Sequence, residues 1–257
     1  MQKPYLLGRV GISSEGSVVI FAIPYHTPAC EDPRRNLSRY AVGQDYHLFI
    51  KQLEEALLPK LALEFPEARF AFFSDHSPID ERIAAAKVGL GCLGKNQLLI
   101  TKPYASYVFL GEIITDAKIT PDTPPQEAKT CLQCGACTKA CPKAEGAVLC
   151  LSALTQKKGS LSDMEKQLLY RHHTVWGCDI CQEVCPLTAE AHKNGTITSP
   201  IDFFHQSPLP HLTYQDIESM SDAEFSTRAF SWRGKQTILR NLLVEKGDLV
   251  DEKKTKS

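Results

Sequence analysis

Along the first half of the chain, runs of apolar residues alternate with amphipathic stretches. Ser17 to Pro24 is rich in Val, Ile and Phe with little alternation, which predicts a buried strand. From Asp45 to Phe65 the apolar positions Ile50, Leu53, Leu57 and Leu61 fall on one stripe, with Lys51, Glu54 and Glu55 outside it. That spacing predicts a helix, with Pro59 as a candidate kink. Arg69 to Ser74 reads as a second strand. Ile79 to Val88, with three consecutive alanines, reads as a helix stopped by Gly89, and Tyr107 to Thr115 as another buried strand. The first half therefore predicts an α/β fold.

The pattern changes at Asp116. Pro121, Pro124 and Pro125 among polar neighbours mark a linker up to Lys129, and cysteines dominate from Cys131 to Pro186. A proline-bearing stretch from Ser199 to Pro210 follows, then one clear helix from Lys235 to Glu245 and a charged tail, Asp251 to Ser257, expected to be disordered. The expected domains are residues 1–120, 121–198 and 199–257.

With 257 residues, 43% of them hydrophobic, the chain can bury a substantial core. No apolar run approaches the roughly 18–20 residues that span a bilayer, and no basic-then-apolar leader opens the chain, so a cytoplasmic location is expected. A net charge of −1 neither favours nor excludes a nucleic-acid partner. Ten cysteines in a reducing compartment point to metal ligation rather than disulfides.

Cys131, Cys134, Cys137 and Cys141, followed by Pro142, reproduce the bacterial ferredoxin run C-x-x-C-x-x-C-x-x-x-C-P. Three closely spaced thiolates wrap one 4Fe–4S cube, and the fourth, beside the proline, ligates the other. The second run, Cys178, Cys181 and Cys185 before Pro186, is one cysteine short, and Cys150 supplies it. The expected sets are Cys131, Cys134, Cys137 and Cys185 on one cluster, and Cys178, Cys181, Cys150 and Cys141 on the other. Structural zinc is the rival reading, disfavoured because zinc sites seldom carry three cysteines at two-residue gaps before C-P. Cys30 and Cys92 fall outside the count and read as small buried hydrophobes.

Beyond the cysteines, a family resemblance emerges. Ser38-Arg-Tyr-Ala-Val-Gly-Gln-Asp-Tyr-His47, Asp75-His-Ser-Pro-Ile-Asp-Glu-Arg82, Gly89-Leu-Gly-Cys-Leu-Gly-Lys-Asn96, Ser106-Tyr-Val-Phe-Leu-Gly-Glu-Ile-Ile-Thr-Asp116 and Ser231-Trp-Arg-Gly-Lys235 through Asn241 resemble, in order, segments of the epoxyqueuosine reductases. Cys150-Leu-Ser-Ala-Leu-Thr-Gln-Lys-Lys-Gly159 and Trp176-Gly-Cys-Asp179 resemble that family too. The likeness runs from about Ser17 to Asn241, with the family's N-terminal region and C-terminal helical repeats expected to be missing. Position 92 departs from the family, which often has an aromatic residue there.

The resemblance implies a corrinoid-binding α/β domain, a ferredoxin-like domain with two 4Fe–4S clusters and a short helical C-terminal segment. It implies cobalamin as cofactor, the anticodon loop of tRNA as substrate carrier, an external donor such as flavodoxin or ferredoxin, and a monomer. It assigns Asp75 as proton donor, where the residues alone fit a helix N-cap equally well, and leaves Ser77 as the cap. Phe70, Phe72, Phe73 and Pro78 suggest an apolar pocket raising its pKa. Tyr46, His47, Asp75, Arg82, Leu99, Leu110 and Asp179 are the implied cofactor-binding residues, the two leucines equally explained as core. For RNA the candidates are Arg228, Arg233, Lys235 and Arg240, with Phe230 and Trp232 as stacking rings and Lys157 and Lys158 as added charge. Two other readings stay open: a ferredoxin-like electron carrier, and a corrinoid iron–sulfur reductase of small molecules.

Overall fold

The computed structural model describes residues 12, 16–120, 130–145 and 150–248. Most of the expected linker and the C-terminal tail lie outside these residues. The described chain is a mixed α/β protein that divides into two compact units. One comprises Met1–Tyr25, Tyr46–Cys134 and Leu187–Ile197; the other comprises His26–Asp45, Gly135–Pro186 and Thr198–Ser257. The units are thus interleaved in sequence, whereas composition shifts suggested three consecutive segments. Composition marks changes along the chain, but compactness is set by which distant segments pair.

The first unit is built on a three-stranded antiparallel sheet in the order β1-β5-β2: β1 is Ser17–Pro24, β2 is Phe70–Phe73 and β5 is Val108–Thr115. The central strand β5 is buried from Leu110 to Thr115. Edge strand β1 is not buried along its length as its composition suggested, since Val18 and Val19 are exposed. An edge strand has one neighbour, so only part of its surface is covered. Helix α1, Tyr46–Glu64, continues through Pro59; Ile50 is buried and Leu53, Leu57 and Leu61 are half-buried, as their stripe requires.

Helix α2, Glu81–Lys87, is capped by Asp80, whose carboxylate accepts the Ile83 N–H at 3.2 Å. This corrects the expectation that Ser77 caps it. The first helical residue lies further along the chain than the alanine pattern suggested, so the cap moves with it. The short strands β3 (Cys92–Leu93) and β4 (Leu99–Ile100) form a hairpin. Leu99 and Leu110 pack with Ala85 in one apolar cluster, together with Ile20, Leu90 and Leu93.

The second unit is largely helical. Its core joins Leu37 and Ala41 to Val175, Trp176, Leu212, Ile217, Phe225, Phe230, Ile238 and Leu242. The helices α3 (Ala136–Ala140), α4 (Leu151–Thr155), α5 (Asp163–Arg171) and α6 (Ile180–Glu183) frame the cysteines. Helix α7, Pro186–Lys193, follows the last of them in sequence and from Leu187 belongs to the first unit; α8 (Tyr214–Ser219), α9 (Asp222–Ser226) and α10 (Lys235–Glu245) complete the second. Asn241 is fully buried on α10 and donates to the carbonyls of Thr155 and Val175, at 2.7 and 2.8 Å. A lone backbone carbonyl in a core costs about 1–3 kcal/mol, so one amide that satisfies two of them ties three segments together.

Candidate functional site

Asp75 sits where β2 has ended and α2 has not begun. Its backbone is left-handed, φ 60°, a region that a side chain other than glycine seldom adopts. Its side chain is hydrogen-bonded to the Tyr46 hydroxyl, and its charge acts on the nearby Glu81 carboxyl. His47 Nε2 lies 3.7 Å from Asp75 Oδ2. Tyr46, His47 and Asp75 are thus brought together from α1 and the loop before α2. Burial, and next the Asp75 charge, push the Tyr46 hydroxyl well above the usual phenol range, so it stays a neutral donor.

The enclosing apolar pocket inferred from the neighbouring phenylalanines is not formed around the carboxylate: the Asp75 side chain is 58% exposed. Phe70, Phe72 and Phe73 belong to β2 and follow its pleat, while the chain turns away after Ser74. Burial does raise two glutamates that sequence reasoning passed over. Glu112, on β5, is 0% exposed, and burial pushes its carboxyl up to about 7 against the opposing Ser77 hydrogen bond. Glu81 is likewise pushed up to about 7, first by burial and then by the charges of Asp75 and Glu112. An acidic residue inside an otherwise apolar strand, Phe109-Leu-Gly-Glu-Ile-Ile114, is the signal that could have exposed Glu112.

Arg82 is exposed and donates to the Gln97 carbonyl at 3.2 Å and to Asp80 at 3.4 Å. Leu99 and Leu110 turn their side chains into the core described above, and the Leu110 carbonyl accepts the Ser74 hydroxyl.

The first unit also holds a cavity of about 670 Å³. Its walls include the turn Gly89, Gly91 and Cys92, the segment from Ile100 to Lys102, and Leu187 and Glu190 from α7. Gly91 is required there: a Cβ would meet the Ile100 carbonyl oxygen at 2.5 Å. This volume lies within the usual range of small-molecule and cofactor sites. Cys92 is buried, as expected, and lies at this wall. The residues of α7 were missed because a helix adjoining a cysteine run gives no sequence sign of which cavity it borders.

In the second unit Cys137, Cys141, Cys150, Cys178, Cys181 and Cys185 are in no disulfide. The Cys178 thiol is pushed up to about 12, first by burial; Asp179, Cys150 and Cys181 are close enough to add to this by charge. Cysteine thiolates are the soft ligands that iron–sulfur clusters take, and Cys141, Cys150, Cys178 and Cys181 belong to one unit, so the donor chemistry fits a cluster. Cys131 and Cys134, in the first unit, are likewise in no disulfide. Cys30 is buried and accepts the Thr27 N–H, a packing role.

Asp179 is buried, and its carboxylate accepts from Ser38 Oγ at 2.6 Å, the Arg39 N–H at 2.8 Å, Gln182 Nε2 at 3.0 Å and Arg35 at 3.0 Å. Its carbonyl accepts the N–H groups of Gln182 and Glu183 at the start of α6. The side chain holds the segment from Arg35 to Arg39 against the second cysteine run.

Most of the expected RNA cluster is engaged within the protein. Phe230 is fully buried, and Arg228 is buried with a bond to the Ser207 carbonyl. Arg240 donates to the carbonyls of Lys157 and Gly159, Lys235 to that of Met220, and Lys157 is paired with Glu165. Cationic side chains with long apolar stems serve the interior here, bonding carbonyls left open at turns and helix ends. Lys158 is exposed. Trp232 is 57% exposed, with the Arg233 guanidinium 3.9 Å from its ring centroid.

Comparison with known proteins places this mixed α/β chain with its two dense cysteine runs. Residues 12–76 match the family model described as epoxyqueuosine reductase QueG, DUF1730. The epoxyqueuosine reductase of Listeria monocytogenes is 34% identical over 251 residues, 89% of this chain and 63% of that protein. That of Gloeobacter violaceus is 34% identical over 218 residues, covering 81% of this chain and 68% of that protein. The structure of an epoxyqueuosine reductase with a tRNA-Tyr epoxyqueuosine-modified stem loop superimposes with a TM-score of 0.69 at 28% identity, over 89% of this chain and 63% of that one. The chain belongs to the epoxyqueuosine reductase family. It spans less than two thirds of the length of the Listeria relative.

Proposed function

We propose that this chain is an epoxyqueuosine reductase-like oxidoreductase that removes the epoxide oxygen of epoxyqueuosine in a tRNA anticodon loop. The observation that carries the reading is the joint presence, in a member of this family, of eight cysteines in ferredoxin order, none in a disulfide, and an acid held beside Tyr46 and His47. Support for the substrate comes from the related structure bearing an epoxyqueuosine-modified stem loop.

Cys131, Cys134, Cys137 and Cys185 would hold one 4Fe–4S cluster, and Cys141, Cys150, Cys178 and Cys181 the other. The first unit would form the corrinoid-binding part and the cysteine-bearing segments the ferredoxin-like part. Cobalamin would be held in the first unit, with the Gly89–Asn96 turn and the Tyr46, His47 and Asp75 group as its nearest candidates. When bound, these groups supply single electrons and a strong two-electron reductant, chemistry no side chain provides.

Converting an epoxide to an alkene and water consumes two electrons and two protons. Asp75 would give one proton to the departing oxygen, with the Tyr46 hydroxyl and the His47 imidazole beside its carboxyl. Its partial exposure suits a donor that must reach a substrate arriving from outside.

Anaerobic electron paramagnetic resonance of the cluster-reconstituted chain, with and without cobalamin, tests this. A base-off Co(II) signal that depends on the protein is the expected result, followed by conversion of epoxyqueuosine-containing tRNA. Cluster signals with cobalamin unchanged from free solution would overturn it in favour of an electron carrier.

A further inference from the structure

The loop from Ser74 to Asp80 is flanked by two carboxyl groups from outside it, Glu81 and Glu112. Glu81, on α2, lies close enough to Asp75 and Glu112 for their charges to act on it. Glu112, on the central strand, accepts the Ser77 hydroxyl, and the Ser77 oxygen in turn accepts the Ile79 N–H at 3.2 Å. In the sheet register Glu112 faces Ile20 of β1 and Phe73 of β2, so its surroundings on both flanks are apolar. One oxygen of Glu112 and one of Glu81 are buried with no hydrogen-bond partner. The left-handed backbone at Asp75 has a conformational cost that the Ser77 contacts offset.

An ionised carboxylate whose second oxygen is buried and unpartnered is costly; the protonated form is far less so. The charged and titratable groups around the pair are Asp75 and Asp80 from the loop, Arg82 from α2, and Tyr46 and His47 from α1. Arg82 turns to Asp80 and the Gln97 carbonyl, so the pair has no directly bonded cation among the described residues.

We propose that Glu112 and Glu81 are positioning residues that latch the Asp75 loop in its observed conformation while protonated, and loosen it when they ionise. The proposal rests on reading Asp75 as the proton donor. Both carboxyls are raised to about 7 from 4.5. The sign follows. With the loop closed they keep protons that a hydrated glutamate has already lost, so the latch is full below pH 4.5 and weakens as pH rises through 7. Acid supply for the reaction is thereby coupled to loop order.

Hydrogen exchange of the amides of residues 74–80, measured in the full chain between pH 5 and 8 and expressed as protection factors, tests the latch. Wild-type protection is expected to fall at least about tenfold across that range, less than a single carboxyl raised from 4.5 to about 7 would contribute in full. Glu112→Gln keeps a neutral partner for Ser77 and is expected to hold the high protection with a flattened pH dependence. Glu112→Ala is expected to lower protection about tenfold at pH 5, as is Ser77→Ala, which keeps Glu112 should the first variant fail to fold. In turnover, Glu112→Ala should reduce kcat with KM unchanged. A Glu112→Gln chain with the wild-type pH dependence, or a Ser77→Ala chain with wild-type protection, overturns the latch. Exchange needs neither corrinoid nor tRNA, so failure of the reductase reading would show in the cobalamin experiment and not here.

Discussion

His47 Nε2 stands 3.7 Å from Asp75 Oδ2, although one residue begins a helix and the other sits in a strained loop after a strand. The pair points to a carboxyl held for chemistry. Asp75→Asn keeps the shape and removes the acid. It should lower reductase turnover at least about a hundredfold, while cobalamin binding, cluster content and stability stay at wild-type values. Single-turnover kinetics beside the resonance spectrum checks this, and unchanged turnover removes Asp75 from the mechanism.

Cys150 lies between the two cysteine runs, and Cys178 feels its charge. Cys150→Ser should leave one cluster intact and cut iron and sulfide per chain to about half. Cys30→Ala, at a buried packing thiol, should leave iron content unchanged. Iron and acid-labile sulfide analysis after anaerobic reconstitution gives the answer.

Asp179 accepts bonds from Ser38, Arg39, Arg35 and Gln182 in a buried site. Asp179→Ala strips one anion from two arginines and should destabilise the second unit by about 3 kcal/mol, read as a lower urea midpoint. A loss below about 1 kcal/mol would mean that Glu31 and Glu183, which also pair with these arginines, suffice.

Glu31 gives the chain an acid-sensitive contact. Burial works to raise its pKa, but hydrogen bonds from Arg39 and His26 outweigh it and hold the carboxyl at about 2, against 4.5 when free. The depressed value means stability fully present above pH 4.5 and lost as pH falls through 2. The side chain is nearly half exposed, so the effect is modest. Glu31→Gln should flatten the acid limb of a Tm-against-pH curve and leave the limb above pH 5 unchanged in slope.

Arg240 and Trp232 were grouped by sequence, but the fold bonds Arg240 internally and leaves Trp232 exposed. Arg240→Ala should lower stability by about 1–3 kcal/mol, because it bonds two carbonyls. Trp232→Ala, at an exposed ring, should leave stability within about 0.5 kcal/mol and weaken affinity for an anticodon stem loop about tenfold. Thermal unfolding and filter binding separate the two; equal tRNA affinity for wild type and Trp232→Ala would remove the ring from the interface.

The parts of this protein that local pattern controls were legible. Strand Ser17–Pro24 and helix Lys235–Glu245 have the bounds that their periodicity predicts, and the cysteine order needs only spacing to be read. The small helices of the second unit were passed over, yet capping boxes announce two of them, Ser162 with Glu165 and Thr213 with Asp216. Their apolar stretches are too short for a periodic stripe to show.

What remained for the tertiary structure was every property that depends on a neighbour distant in the chain. Gly177 must be glycine because its backbone is left-handed and a Cβ would lie 2.4 Å from Cβ of Ser38. Glu112 becomes a titrating group near neutrality because the sheet buries it between two strands, and Asp75 becomes poised because Tyr46, His47 and Glu81 converge on it. Sequence set the chemistry available, thiols at ferredoxin spacing and an acid before a helix, since covalent order fixes spacing. Burial and contact fix pKa values and pairings, and these arise only when segments far apart in sequence pack together.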